Sequence, residues 1–203
     1  VRDAFVSPHF ASISELPQGA VVGSSSLRRR AQLALRRPDL HLVEFRGNVQ
    51  TRLKKLEDGV AVATFLAMAG LSRLGMLDVA RGAVDPDEML PAVAQGCIGV
   101  ERRADDARSS AMLAAIADHD SALRMAAERA FLARLDGSCQ TPIAGLAVLR
   151  GDRLHLRGEI LRPDGSEVIA GEREGPARDG AAMGTDLANE LRARAPADFF
   201  DWG

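Results

Sequence analysis

Apolar and polar positions alternate along the chain with two periods, and the change of period divides it. Asp3-Ala4-Phe5-Val6 reads as a short strand, and Ser7–Gly19, with Pro8 and Pro17, as a connector. Ala20–Gly23 ends a buried strand. The pattern Ala31, Leu33, Ala34, Leu35 follows and predicts a helix over 26–36, capped by Ser25 or Ser26 and stopped at Pro38-Asp39. LHLVEF (40–45) predicts the next strand, Asn48–Glu57 a helix ended by Asp58-Gly59, and VAVATFLA (60–67) a near-continuous apolar strand. A run of that kind belongs in a parallel sheet covered on both faces. A short helix over 69–74 completes an α/β unit built on a parallel sheet.

Pro86 and Pro91 bracket a linker, and CIGVERR (97–103) begins an alternating strand over 97–102 in which Cys97 packs as a small hydrophobe. A helix is expected over 105–117. A second, over 121–135 and capped by Asp118 or Asp120, carries Leu123, Ala127, Ala130, Phe131 and Leu135 on one face. Beyond the loop GSCQTPIAG, the segments 143–149, 153–161 and 167–173 predict three strands joined by hairpins at Gly151-Asp152 and Pro163-Asp164-Gly165, and a last helix spans about 180–195. The second half is therefore α+β with an antiparallel sheet.

Composition adds limits. The chain has 203 residues with 46% hydrophobic and 27% charged, the balance of a globular protein, and no apolar run long enough to span a membrane. A net charge of -2, 4% aromatic residues and no tyrosine argue against a nucleic-acid binder that would use Arg28–Arg30 and Arg36-Arg37. Two cysteines make no disulfide framework, which points to a reducing cytoplasm, and the four histidines have no metal-ligand spacing with them. His41 and His155 alternate with apolar strand residues and are expected to face solvent.

The candidate chemistry lies in two places. In VVGSSSLRRR, arginines occupy a helix start, where the dipole prefers acids. A break of that kind, at a ready anion site, points to a ligand with several carboxylates or phosphates. Arg28, Arg29, Arg46 and Arg52 all fall just after a strand or early in the following helix, with Arg73 slightly further on, so they gather at the carboxyl rim of the sheet. In GSCQTPIAG, Cys139 stands in a loop between Gly137 and Pro142, a setting for a nucleophile or an attachment point rather than for core packing. The preceding helix C-terminus does nothing to lower its pKa, so no standing thiolate is expected.

In this order, VGSSSLRRRAQL, RGNVQTRLKKL, LAMAGLSRLG and GSCQTPIAG resemble the porphobilinogen deaminase (hydroxymethylbilane synthase) family, and the likeness runs from Arg2 through the final helix. The resemblance implies a periplasmic-binding-protein-like α/β lobe at 1–90, a strand and helix at 91–117 returning to a mostly missing amino-terminal domain, and a small α+β domain with a three-stranded antiparallel sheet at 118–203. It implies a transferase of porphyrin (haem) biosynthesis. Four porphobilinogen molecules condense head to tail with release of ammonia to give hydroxymethylbilane, on a dipyrromethane primer held by a thioether to Cys139.

By the same resemblance, Ser26, Arg28, Arg29 and Arg52 hold the cofactor's acidic side chains, and Arg46, Arg52 and Arg73 bind substrate. The catalytic aspartate lies upstream, so the chain by itself is expected to be inactive. No metal, nucleotide, nucleic acid or membrane is implied, and the family enzyme is a cytoplasmic monomer. Val62, where many members carry a polar or acidic residue, departs from the pattern, and Cys97 replaces a more usual small residue. The alternative is a non-catalytic α/β module for a small polycarboxylate, which explains the arginine rim but not the cysteine loop.

Overall fold

The computed structural model describes residues 1–138 and 141–200. Its first half is a five-stranded mixed sheet built from β1 (Asp3–Val6), β2 (Val21–Gly23), β3 (His41–Val43), β4 (Ala63–Ala67) and β5 (Gly82–Ala83), in the order β3-β2-β4-β1-β5. β2 is parallel to β3 and β4, as the apolar run predicts, but β1 runs antiparallel to both β4 and β5. The expectation of a parallel sheet thus holds for three strands only. The segment 7–20 that joins β1 to β2 carries no helix, so no strand-helix-strand crossover between them imposes the parallel direction.

Alternation within the strands makes two cores. Phe5, Val22, Leu33, Ala63 and Phe65 pack on the face covered by α1 (Leu27–Arg36). Ala4, Val6, Phe45, Leu56, Leu66 and Leu71 pack on the other, covered by α2 (Val49–Glu57) and α3 (Met68–Arg73). The cap at Ser26 is one the sequence offers, its Oγ accepting from Arg29 N, whereas Asn48, expected as the first helical residue, is instead the cap of α2, its Oδ1 accepting from Thr51 N at 2.8 Å. Gly23 is required by close approach, because a Cβ there would lie 2.3 Å from the Phe45 ring. The strands expected over 40–45 and 60–67 are shorter than their apolar runs, since only 41–43 and 63–67 find partners.

The second half is a three-stranded antiparallel sheet, β6 (Ile143–Arg150), β7 (Arg153–Leu161) and β8 (Val168–Pro176), packed against α5 (His119–Arg134) and α6 (Gly180–Arg194). Phe131, Leu154, Leu156, Ile160, Leu187 and Leu191 form its core. His41 is exposed, whereas His155 is half-buried against Glu172.

Between the halves the expected strand over 97–102 does not form, and the residues are irregular up to α4 (Ala107–Ala114). Cys97 is exposed rather than packed, and Ile98 is 69% and Val100 59% exposed. A strand needs a neighbour to take its N–H and C=O groups, and no described strand lies beside this segment. The apolar alternation is present, but no partner strand for it is found among the described residues.

Candidate functional site

The serine-arginine turn is built as the sequence suggests, but its arginines point inward. Ser24 Oγ accepts from Ser26 N, Ser25 Oγ accepts from Phe45 N at 2.9 Å, and Thr64 Oγ1 donates to Gly23 O at 2.7 Å, so every hydroxyl of the turn holds backbone. Ser26 is committed as the cap.

Arg28 and Arg29 are 4% and 8% exposed and converge on Asp3, which is fully buried in β1. Arg28 Nη2 lies 2.9 Å from Asp3 Oδ2, while Arg29 Nη2 and Nε lie 2.7 and 3.1 Å from Asp3 Oδ1. Arg28 also donates to Leu90 O and Gln95 Oε1, and Arg29 to Phe65 O. Burial pushes the Asp3 carboxyl up, but the charges of Arg29 and Arg28 outweigh it and hold it below the usual value. The pattern in the sequence says "anion at the helix start", and the structure answers in part with an internal one. Arg30 is half-buried beside them, and Arg37, in the outer pair of the nucleic-acid reading, is held by Asp39.

The remaining cations differ. Arg52, in the first turn of α2, donates its Nε to Gly47 O at 2.9 Å and has no carboxylate partner among the described residues. Partial burial, and then the charge of Arg29, pull its pKa down. The like charge of Arg29 acts on it, so positive charge is left in surplus at this point. Arg46 is exposed and pairs with Glu44 at 2.7 Å, and Lys55 Nζ donates to Arg46 O, so a second layer of cations borders the first. Arg73, at the end of α3, turns away to donate to Gly96 O at 3.0 Å. The five arginines therefore do not form one rim. Arg52 feels the charge of Arg29, Arg28 is an internal brace, Arg46 sits at the border, and Arg73 reaches Gly96, which lines a cleft of about 410 Å³ between the halves. Arg2, Ala69, Gln95, Cys97, Arg124 and Glu128 are among that cleft's lining residues.

Cys139 lies outside the described residues. On either side of it the chain is tied: Ser138 N donates to Thr141 Oγ1 at 2.9 Å, and Thr141 N to Ser138 O at 3.2 Å. No His, Cys, Asp and Glu cluster among the described residues could hold a metal.

Sequence reasoning missed Asp3, Gln32, Glu128 and Glu159, all buried polar residues. Asp3 and Glu128 each stand among apolar positions of a strand or helix face, and that misplacement is the signal that could have found them. Glu128 accepts from Ala94 N and Ala147 N, both at 2.7 Å, and burial raises its pKa despite these bonds. Glu159 is raised by burial too, with Oε1 unpartnered.

Comparison with known proteins accounts for both halves. Residues 1–111 match the family model described as porphobilinogen deaminase, dipyromethane cofactor binding domain, and residues 122–193 match porphobilinogen deaminase, C-terminal domain. The chain is 88% identical over 202 residues to a porphobilinogen deaminase of Paracoccus denitrificans, covering all of this chain and 64% of that protein. It is 52% identical over 200 residues to a porphobilinogen deaminase of Nitrobacter hamburgensis, covering 98% of this chain and 63% of that protein. The chain thus spans somewhat under two thirds of the length of these relatives.

Proposed function

The chain belongs to the porphobilinogen deaminase family, and from that premise we propose that, within the whole protein, it serves as the polycarboxylate-holding part of a transferase that joins four porphobilinogen molecules head to tail and releases ammonia. The observation that carries this reading is Arg52: a partly buried guanidinium under the like charge of Arg29, with no carboxylate partner among the described residues. Each pyrrole brings an acetate and a propionate, so a growing chain accumulates the charge this patch lacks. A charge-assisted bond to each is worth roughly 1.5–3 kcal/mol, and arginine adds two-pronged geometry.

A dipyrromethane group fits the residues present in charge, since the surplus cation is on the described surface. Arg52, Arg29 and Ser26 are its proposed holders with Arg28 behind them, and Cys139 is the proposed attachment. The bound group supplies the primer on which substrate units are added. Forming the attachment makes one S–C bond, breaks the C–N bond of the aminomethyl group, and releases the thiol proton with ammonia, so a neutral thiol suffices. Arg46 and Arg73 are proposed for incoming substrate. Arg46 is free to swing from Glu44, an exposed pair that costs little to break.

The division 1–90, 91–117 and 118–203, the periplasmic-binding-protein-like lobe, a monomeric whole enzyme and a cytoplasmic setting belong to the same proposal. No helix among the described residues is long and apolar enough to cross a membrane. The test is intact mass and porphobilinogen consumption by the full-length protein. Two extra pyrrole units on the Cys139 peptide and turnover are expected. A clean, unmodified Cys139 peptide with tight binding of a small polycarboxylate would instead favour the non-catalytic module.

A further inference from the structure

The segment Leu90–Gln95 runs between the two sheets and is tied down from both sides. From the first half, the fully buried Gln32 on α1 donates its Nε2 to Leu90 O at 2.9 Å and accepts from Leu90 N at 2.8 Å on its Oε1. Arg28, one turn earlier on the same helix, adds a second donor to Leu90 O at 2.7 Å. From the second half, Gly145 N in β6 donates to Pro91 O at 3.0 Å, Leu90 packs on Ala144 and Leu146, and Glu128 holds Ala94 N. Ala94 keeps a left-handed backbone (φ +65°), which a residue with a Cβ adopts only when its surroundings impose it.

The chemistry of the clasp is specific to glutamine. A carboxamide places one donor and one acceptor side by side, the complement of one residue's backbone N–H and C=O. Glutamate offers acceptors only, leucine offers neither, and asparagine is one methylene short. Helix α1 carries Arg28 and Arg29, while β6 directly follows the loop that contains Cys139 in sequence. The path from the arginines to that sheet is therefore Gln32, Leu90, Pro91 and Gly145, two hydrogen-bonded steps joined by one peptide bond.

We propose that Gln32 is a positioning residue: by clasping both backbone groups of Leu90 it holds the arginine-bearing helix α1 at a set distance from the β6-β7-β8 sheet, and so sets the gap that the bound carboxylate chain spans. This rests on the function proposed above and adds to it a residue that touches neither substrate nor cofactor. A loosened clasp lets the two anchors drift relative to each other. The cost falls on the chemical step, which depends on geometry, rather than on the capture of substrate, which depends on arginines that are still present.

The test uses the full-length enzyme with azide-bearing residues installed at the exposed positions Glu57 and Arg178, spin-labelled for distance measurement, and compares the parent with Gln32→Leu and Gln32→Glu. The expected result is a distance distribution between the halves that is wider in both variants, with kcat lower by roughly 10- to 100-fold and KM within about twofold. A parental width in Gln32→Leu, or a wider distribution with unchanged kcat, overturns the proposal. If Gln32→Leu does not fold, Gln32→Glu, which keeps the bond from Leu90 N, is read by the same two criteria. A parent enzyme that leaves porphobilinogen untouched overturns the function reading, while the distance widths still decide whether Gln32 sets the gap.

Discussion

Asp3 Oδ1 in β1 lies 2.7 Å from Nη2 of Arg29 in α1, with the carboxylate fully buried and the arginine side chain one-tenth exposed. The same carboxylate holds Arg28 through its other oxygen. Two adjacent arginines thus share one buried counter-charge, which leaves about one positive charge in excess beside Arg52. The pair explains how a helix can begin with three arginines without flying apart, and why the surplus appears one helix further on.

Removing the shared carboxylate should be costly. Asp3→Asn strands two guanidiniums in the interior, and loss of one partner of a buried pair costs about 3–5 kcal/mol. Urea unfolding of the full-length enzyme should show this drop, and Arg28→Ala should also lose stability because Leu90 O and Asp3 lose a donor. A parental midpoint for Asp3→Asn would mean that the network is not held as described.

Arg52→Ala should behave in the opposite way. With no carboxylate partner among the described residues to strand, its removal should leave the unfolding midpoint within about 0.5 kcal/mol of the parent. It should weaken cofactor retention or substrate binding by roughly 10- to 100-fold, the worth of one charge-assisted contact. Titration of porphobilinogen turnover and the mass of the isolated protein both read this, and undiminished binding would remove Arg52 from the site.

The buried carboxylates give stability a pH signature with opposite signs. Asp3 is depressed in the folded protein, so its contribution is complete above the unfolded value near 3.8 and is lost as the pH falls through the lower folded value. Glu159 is raised by burial, so its ionisation works against folding as the pH rises through the folded value, and the cost vanishes below the unfolded value near 4.5. Glu159→Gln should therefore raise the melting temperature at pH 7 by more than at pH 4.5. Glu128→Gln should lower it, because an amide NH2 would face Ala94 N or Ala147 N, at about 1–3 kcal/mol. Calorimetry at the two pH values separates them, and a destabilised Glu159→Gln at pH 7 would contradict the unpartnered oxygen.

The cysteines should part company. Cys139→Ser in the full-length enzyme should fold and carry no pyrrole, since a hydroxyl is a much weaker nucleophile than a thiol. Cys97→Ser should keep the pyrrole and, because Cys97 is exposed rather than in a core, should change stability by less than about 0.5 kcal/mol. Peptide mass mapping decides it, and a dipyrrole on the Cys97 peptide would refute the assignment.

Local patterning is enough to read most of the elements and the family. Ser26 and Asp118 announce their helices because a cap needs only the side chain and the backbone three residues on. The three C-terminal strands announce themselves because period-two alternation and hairpin turns are local. The motifs around Arg28, Arg46, Arg73 and Cys139 carry the family likeness whatever the chain's three-dimensional arrangement. Long-range relations came from the fold: that β1 runs antiparallel, that the apolar alternation after Cys97 has no strand beside it among the described residues, and that Arg28 and Arg29 spend charge on Asp3 while Arg52 does not. Helix starts with arginine look alike in one dimension. Whether a guanidinium is spent or available depends on which carboxylate the fold brings within 3 Å, and in this chain that carboxylate is some 25 residues away and in another element.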